Sequence, residues 1–286
     1  MDSIFRILIT GTSRGIGKEL LKRYATKGIQ VIAIDKHMDP GVAEAFPSVI
    51  FRQVDIAIES EVENLVANLA TDGLLPDVYI FNAAVHKVDN DPFIDYPEIC
   101  NVIAVDMLST LKFLSCLMPR LEKPATFVFC SSGVVIFPNP SSLGYFLSKL
   151  AVTRTFDLFA DRYAGCGFRF KSVILGPIES DMLQESRSPH GFVRILRTLT
   201  TGTKEKAAEK IMVFIQSTRR HMYYRLSSAI ILWCVRLAQA LLPAPLKVYR
   251  ASRPSQPTKL HHNDSPLEII KEGVRGAPHS GKRGAK

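Results

Sequence analysis

Short apolar runs alternate with longer stretches whose apolar positions recur every third or fourth residue, and the alternation persists from Ile4 to about Gln216. Ile7-Leu8-Ile9, Val31-Ile32-Ala33-Ile34, the run from Ile50 to Asp55, Val78-Tyr79-Ile80-Phe81-Asn82, Thr126-Phe127-Val128-Phe129-Cys130 and Lys171-Ser172-Val173-Ile174-Leu175 read as strands. Continuous Val, Ile and Phe suits a strand covered on both faces. Helical periodicity follows Gly17, recurs near Glu59–Leu69 and Ile99–Leu117, and marks the segment carrying Tyr145 and Lys149. Six apolar strands separated by helices predict an α/β fold, a doubly wound parallel sheet with helices on both faces. Ligand is then expected beyond the carboxyl ends of the strands.

The pattern loosens from Gln184 to Gly202, and a further helix is expected from an N-cap at Thr203 to about Gln216. Ser227–Leu242 is apolar on more than one face, holds Arg236 and ends at Pro243. A membrane span needs about 20 apolar residues, so this run reads as a C-terminal helix packed on the body or in an oligomer contact. Peripheral membrane contact is the alternative, favoured by Trp233 and the flanking Arg225, Lys247 and Arg250. The expected organisation is a Rossmann-type domain over 1–220 with a substrate loop at 181–202, an apolar helix within 221–249, and a disordered basic tail over 250–286.

The formal charge of +9 does not imply nucleic acid, because its placement is terminal. From Lys247 onward nine basic residues stand against Asp264, Glu268 and Glu272, which leaves the body nearly balanced. Cys100, Cys116, Cys130, Cys166 and Cys234 are odd in number and widely spread, so reduced, buried thiols in a cytoplasmic protein are expected rather than disulfides or a metal site. A strand beginning near Ile4 leaves no room for a leader ahead of it, so none is expected.

Two motifs carry the chemistry. Gly11-Thr12-Ser13-Arg14-Gly15-Ile16-Gly17 lies between the first strand and first helix, where glycines let backbone approach a pyrophosphate and the helix start offers N–H groups to it. Asp35 closes the second strand, placed to accept from ribose hydroxyls and to repel a 2′-phosphate, so NAD is preferred over NADP. Arg14 and Lys36 are the cations that would argue for a phosphate there. The second motif is Tyr145-Phe146-Leu147-Ser148-Lys149, preceded by Ser131-Ser132 at a strand end. A lone Tyr-x-x-x-Lys usually means a packed tyrosine and a surface lysine; after a glycine turn it reads as a proton donor with its electrostatic partner. The lysine lies one turn along the same helix face. No Gly-x-Ser-x-Gly elbow surrounds Ser131 or Ser132, which disfavours a hydrolase.

Together these residues resemble the short-chain dehydrogenase/reductase superfamily over roughly Ile4 to Arg220. The resemblance implies a nicotinamide-dependent oxidoreductase interconverting an alcohol and a carbonyl. It implies Ser132, Tyr145 and Lys149 as catalytic residues, with Asp106 at the position where the family usually has an asparagine. It further implies cofactor contacts from Gly11, Ser13, Arg14, Gly15, Ile16, Gly17, Asp35, Asp55, Ile56, Asn82, Ala83, Ala84, Tyr145, Lys149, Gly176, Ile178 and Ser180. Departures are Ala83 for a second asparagine, Val85 for a glycine, Leu175 where Pro-Gly is common, and Asp106 itself. Asp106 is either a surface carboxylate or a partner of Lys149 that weakens its grip on Tyr145. Met182, Leu183, Phe192, Val193, Ile195 and Leu196 suggest a small apolar alcohol or carbonyl as substrate. A homodimer or homotetramer through the helices near Ile99–Leu117 and Tyr145–Tyr163 is implied by the family. The competing reading is a nucleotide-binding sensor or interaction protein that keeps the fold with little turnover.

Overall fold

The computed structural model describes residues 5–37, 40–86, 94–136, 138, 142–178 and 201–225. Seven strands form one parallel sheet: β1 (Arg6–Thr10), β2 (Gln30–Asp35), β3 (Ile50–Gln53), β4 (Val78–Phe81), β5 (Thr126–Ser132), β6 (Arg169–Leu175) and β7 (His221–Tyr224). Their spatial order is β3-β2-β1-β4-β5-β6-β7. The order reverses between β1 and β4, so a crevice opens at the carboxyl ends of these two neighbours.

Among the described residues the α-helices are α1 (Gly15–Thr26), α2 (Pro40–Ala45), α3 (Glu59–Thr71), α4 (Tyr96–Ile103), α5 (Ser109–Leu117), α6 (Leu143–Arg162) and α7 (Lys204–Gln216). Strand alternation divides the core between the two faces. Ile7, Ile9, Val31, Ala33, Ile80 and Val128 share a cluster with Leu20, Leu21 and Tyr24 of α1 and Ala208 and Ile211 of α7. Leu8, Ile32, Ile34, Tyr79, Phe81 and Phe127 face the other way, onto Val62 and Leu65 of α3, Phe113 and Leu114 of α5, and Val152 and Phe156 of α6. Both sides are thus apolar, which explains why these strands lack polar alternation. Tyr96–Arg120 is long and apolar enough to cross a membrane by composition alone. Val102, Phe113, Leu114 and Leu117 within it are buried against the protein instead.

Two elements differ from the sequence expectation. β7 is a seventh strand that the apolar pattern did not announce; it is a short edge strand of mixed polarity, with Tyr223 60% exposed. The helix expected over Ile99–Leu117 is interrupted by a π-turn at Ala104–Leu108, where the Ser109 N–H donates to the Ala104 carbonyl five residues back. Thr203 caps α7 as anticipated, its hydroxyl accepting from the Lys206 N–H at 3.3 Å. The expectation of buried thiols holds for Cys130; Cys100 and Cys166 are exposed and Cys116 is intermediate, all of them free. The segment 181–200, the apolar run Ser227–Leu242 and the tail 250–286 lie outside the described residues.

At its carboxyl end β6 is pinned to β7. The Gly176 N–H donates to the Tyr224 carbonyl at 2.7 Å, and a Cβ on Gly176 would stand 1.9 Å from the Arg225 carbonyl oxygen, so only glycine fits. Arg225 turns the chain at φ 56, the left-handed region that costs a bulky residue strain. On the opposite core face, Tyr79 is fully buried, stacked on Phe127 with ring centroids 5.2 Å apart, and its hydroxyl has no hydrogen-bond partner. A buried donor without an acceptor costs about 1–3 kcal/mol. Tyr79→Phe is therefore expected to stabilise the fold by about 1 kcal/mol, read as a raised urea midpoint at unchanged m-value.

Candidate active site

The glycine turn joins β1 to α1 and is braced from β4. The Thr10 hydroxyl oxygen accepts from the Asn82 and Ala83 N–H groups at 3.1 Å each, and the Asn82 amide donates to the Thr10 and Gly11 carbonyls at 3.1 Å each. Asn82 thus holds the turn in shape. A Cβ at Gly17 would stand 1.9 Å from the Gly11 carbonyl oxygen, so α1 approaches the strand only because residue 17 has no side chain. No side-chain cap closes the first turn of α1, whose N-cap position is Arg14. Bare N–H groups at a helix start, behind a turn this tight, fit the pyrophosphate of a dinucleotide.

Asp35 meets the same turn. Its carboxylate accepts from the Ser13 N–H at 2.8 Å and from the His37 N–H at 3.0 Å, which fixes the acid at the end of β2. Lys36, one of the cations that argued for a phosphate, instead pairs with Asp55 at 2.6 Å. The hydrogen bond from Lys36 holds the Asp55 carboxyl below its usual range. Asp55 also accepts from the Ala57 N–H at 3.1 Å, ordering the loop that contains Ile56.

Ser132 ends β5 and Tyr145 and Lys149 lie one turn apart in α6, whose face packs on β5. The three converge. Ser132 lies beside the Tyr145 phenol, where its hydroxyl favours the ionised form, and the Lys149 ammonium stands 5.4 Å from the centroid of the Tyr145 ring. Lys149 is 1% exposed; its Nζ donates to the Cys130 carbonyl at 3.2 Å and lies over the Phe129 ring at 4.8 Å. Enclosure of the hydroxyl end pushes the Tyr145 phenol above its ordinary range, although the residue as a whole keeps some exposed surface. The Lys149 charge opposes this shift and Asp106 reinforces it. Burial also raises the Cys130 thiol to about 12, so that sulfur is no nucleophile.

Asp106 is not a surface carboxylate. It sits in the π-turn, 1% exposed, and Oδ1 accepts from the Val85 N–H at 2.8 Å. Its Oδ2 stands 3.3 Å from Lys149 Nζ, within ion-pair distance but without hydrogen-bond alignment. Burial pushes the Asp106 carboxyl up, against the pull of Lys149. Burial alone would pull Lys149 down, but Asp106 and Tyr145 outweigh it and the net direction is up. The partner-of-lysine alternative is the one the geometry adopts.

His86 joins the site unannounced by the motifs. Its ring lies edge-on to Tyr145 with centroids 4.9 Å apart, and Nε2 is 2.9 Å from the hydroxyl of Ser142 at the start of α6. Its position directly after Asn82-Ala83-Ala84-Val85 was the available signal. Gly176 and Ile178 lie past β6, where Ile178 bridges to Gly202; Ser180 lies outside the described residues.

Residues 6–191 match the family model described as short chain dehydrogenase. The chain belongs to this family. It is accordingly an NAD(P)-dependent oxidoreductase of the short-chain dehydrogenase/reductase type. Glucose 1-dehydrogenase of Gluconobacter oxydans is 32% identical over 187 residues, 60% of this chain and 69% of that one. L-fucose dehydrogenase of Bos taurus is 24% identical over 188 residues, 63% of this chain and 68% of that one. Among solved structures, 4-hydroxyisoleucine dehydrogenase complexed with NADH aligns at TM-score 0.70 and 20% identity, covering 77% of this chain and 96% of that chain. A short chain dehydrogenase from Burkholderia cenocepacia in complex with NADP aligns at TM-score 0.67 and 20% identity, covering 85% and 99%. At such identities these two carry the fold alone.

The fit of the glycine turn to a dinucleotide gives a direct expectation. Gly17→Ala should weaken NADH binding by at least ~10-fold, or ~1.4 kcal/mol, in a fluorescence titration. The same variant should melt at lower temperature, since its methyl group meets the Gly11 carbonyl.

Proposed function

We propose that this dehydrogenase/reductase interconverts a secondary alcohol and a ketone, or a primary alcohol and an aldehyde, with Tyr145 as the proton donor and acceptor. The convergence of Ser132, Tyr145 and the buried Lys149 carries the reading. Bound nicotinamide supplies or takes up the hydride. Ser132 holds the substrate oxygen beside the phenol, and the Tyr145 hydroxyl delivers its proton to that oxygen in reduction or removes one in oxidation. Lys149 is within reach to influence the phenol electrostatically and to bond the ribose hydroxyls. Its neighbours, the Cys130 carbonyl and the Phe129 and Tyr145 rings, hold the ammonium in place.

NAD is the proposed cofactor. Asp35 presents its carboxylate at the end of β2, held by two backbone N–H groups, and Lys36 is engaged with Asp55. A carboxylate in that place favours ribose hydroxyls over a 2′-phosphate. The proposed substrate is small and apolar, on the strength of the apolar residues between 181 and 202 in the sequence. Pairing of subunits is proposed through α4, α5 and α6, supported by Leu108, Leu147 and Leu158, which are 45%, 41% and 67% exposed. A cytoplasmic location, with membrane contact by the Ser227–Leu242 run as the alternative, stays a proposal from the sequence.

Tyr145→Phe should lower turnover with NADH and a panel of apolar ketones and aldehydes by ~10²–10⁴-fold, with NADH affinity retained. Full turnover in that variant would remove the proton-donor role. NADH should bind at least ~10-fold tighter than NADPH, and Asp35→Ala should narrow that gap.

A further inference from the structure

Replacing the family's usual amide by Asp106 keeps a shape and changes a charge. Oδ1 accepts from the Val85 N–H at 2.8 Å, a task that an asparagine carbonyl would perform equally. Oδ2 has a different consequence, because it brings a negative charge to 3.3 Å from Lys149 Nζ where both side chains are at most 1% exposed. Charges enclosed in this way are screened far less than charges at the surface.

Among the described residues, the groups around the reacting phenol come from three elements and one loop. Tyr145 on α6 faces Lys149 of the same helix, Asp106 of the π-turn, Cys130 and Ser132 of β5, and the edge-on ring of His86 beyond β4. Lys149 in turn faces Asp106, Tyr145 and Cys130. Of these, Lys149 is the cation that would stabilise a tyrosinate, and Asp106 is the anion placed against that cation.

We propose that Asp106 is a positioning residue that biases the saturated rates toward reduction: its carboxylate cancels the Lys149 charge, keeps Tyr145 protonated, and so favours carbonyl reduction over alcohol oxidation. The proposal rests on the proton-donor reading of Tyr145 given above. In reduction the carbonyl carbon receives the hydride of the reduced nicotinamide with its two electrons, the carbonyl oxygen takes the phenolic proton, and an oxidised nicotinamide and a tyrosinate remain. The tyrosinate then recovers a proton from solvent. Oxidation runs backward and must begin from tyrosinate. An unassisted phenol ionises near ~10. Burial raises the Asp106 carboxyl, while the Lys149 charge and the Val85 N–H both favour its ionised form, and an ordinary carboxyl ionises far below an ordinary phenol. At the pH where Tyr145 titrates, its neighbour is therefore a net-neutral pair. Tyr145 stays protonated at neutral pH, the form that reduction uses.

The test is Asp106→Asn, which retains the acceptor for Val85, read by ultraviolet difference titration of the ligand-free protein at the tyrosinate band. Tyr145→Phe and the double variant Asp106→Asn/Tyr145→Phe identify the signal. Expected is one tyrosine ionising at least ~1 pH unit lower in Asp106→Asn than in the wild type, and absent from the double variant. The ratio of saturated initial rates, oxidation over reduction, at pH 7 on one alcohol/carbonyl pair that the wild type accepts should rise by ~10-fold with it. Asp106→Ser removes the same charge with a smaller side chain and is read in the same way. An unshifted tyrosinate in either folded variant overturns the proposal, as does a shift with no change in that ratio. Full turnover in Tyr145→Phe alongside a shifted tyrosinate would overturn the proton-donor reading instead.

Discussion

Parallel pairing is the constraint on which the rest of the molecule depends. Because all seven strands run in one direction, every strand delivers its carboxyl end to the same edge. Residues as far apart in sequence as Gly11, Ser132 and Gly176 are brought to that edge by the strands that carry them. Side-chain bonds then refine what the sheet has gathered. The Thr10 hydroxyl fastens the end of β4 to the end of β1, and Gly176 admits the end of β7 against β6.

Strands buried on both faces were legible because their apolar runs leave little room for another reading. Ile7-Leu8-Ile9 and Phe127-Val128-Phe129 place consecutive residues in opposite core clusters, so every position must be apolar. His221-Met222-Tyr223-Tyr224 was illegible for the same reason. At the sheet edge β6 is its one pairing neighbour among the described residues, and no uniform burial disciplines its composition. The π-turn was also hidden: one residue inserted within a long apolar stretch barely disturbs the spacing that reveals a helix.

The candidate site divides along similar lines. The glycines and the Tyr145/Lys149 pair were readable because local geometry alone, a tight turn and one helical turn, fixes their relation. Asp106 was recognisable as a departure from the family, but its burial and its choice of Lys149 as partner depend on how the π-turn packs on α6. His86 depends on tertiary contact still more, since only its place directly after Asn82-Ala83-Ala84-Val85 marks it in the sequence. Such residues respond to neighbours from other elements, and a linear reading has no access to those.

The π-turn links two properties that an uninterrupted helix would keep separate. Winding the backbone wide at Ala104–Leu108 shifts the angular phase of all that follows, so Phe113, Leu114 and Leu117 enter the sheet core while the carboxyl group of Asp106 aims at α6. One inserted residue serves as both the alignment of a packing face and the aim of a buried charge. A loss of that residue would rotate the core-facing stripe away from the sheet, which ties the electrostatics of this pocket to the foldability of the chain and leaves neither free to drift alone.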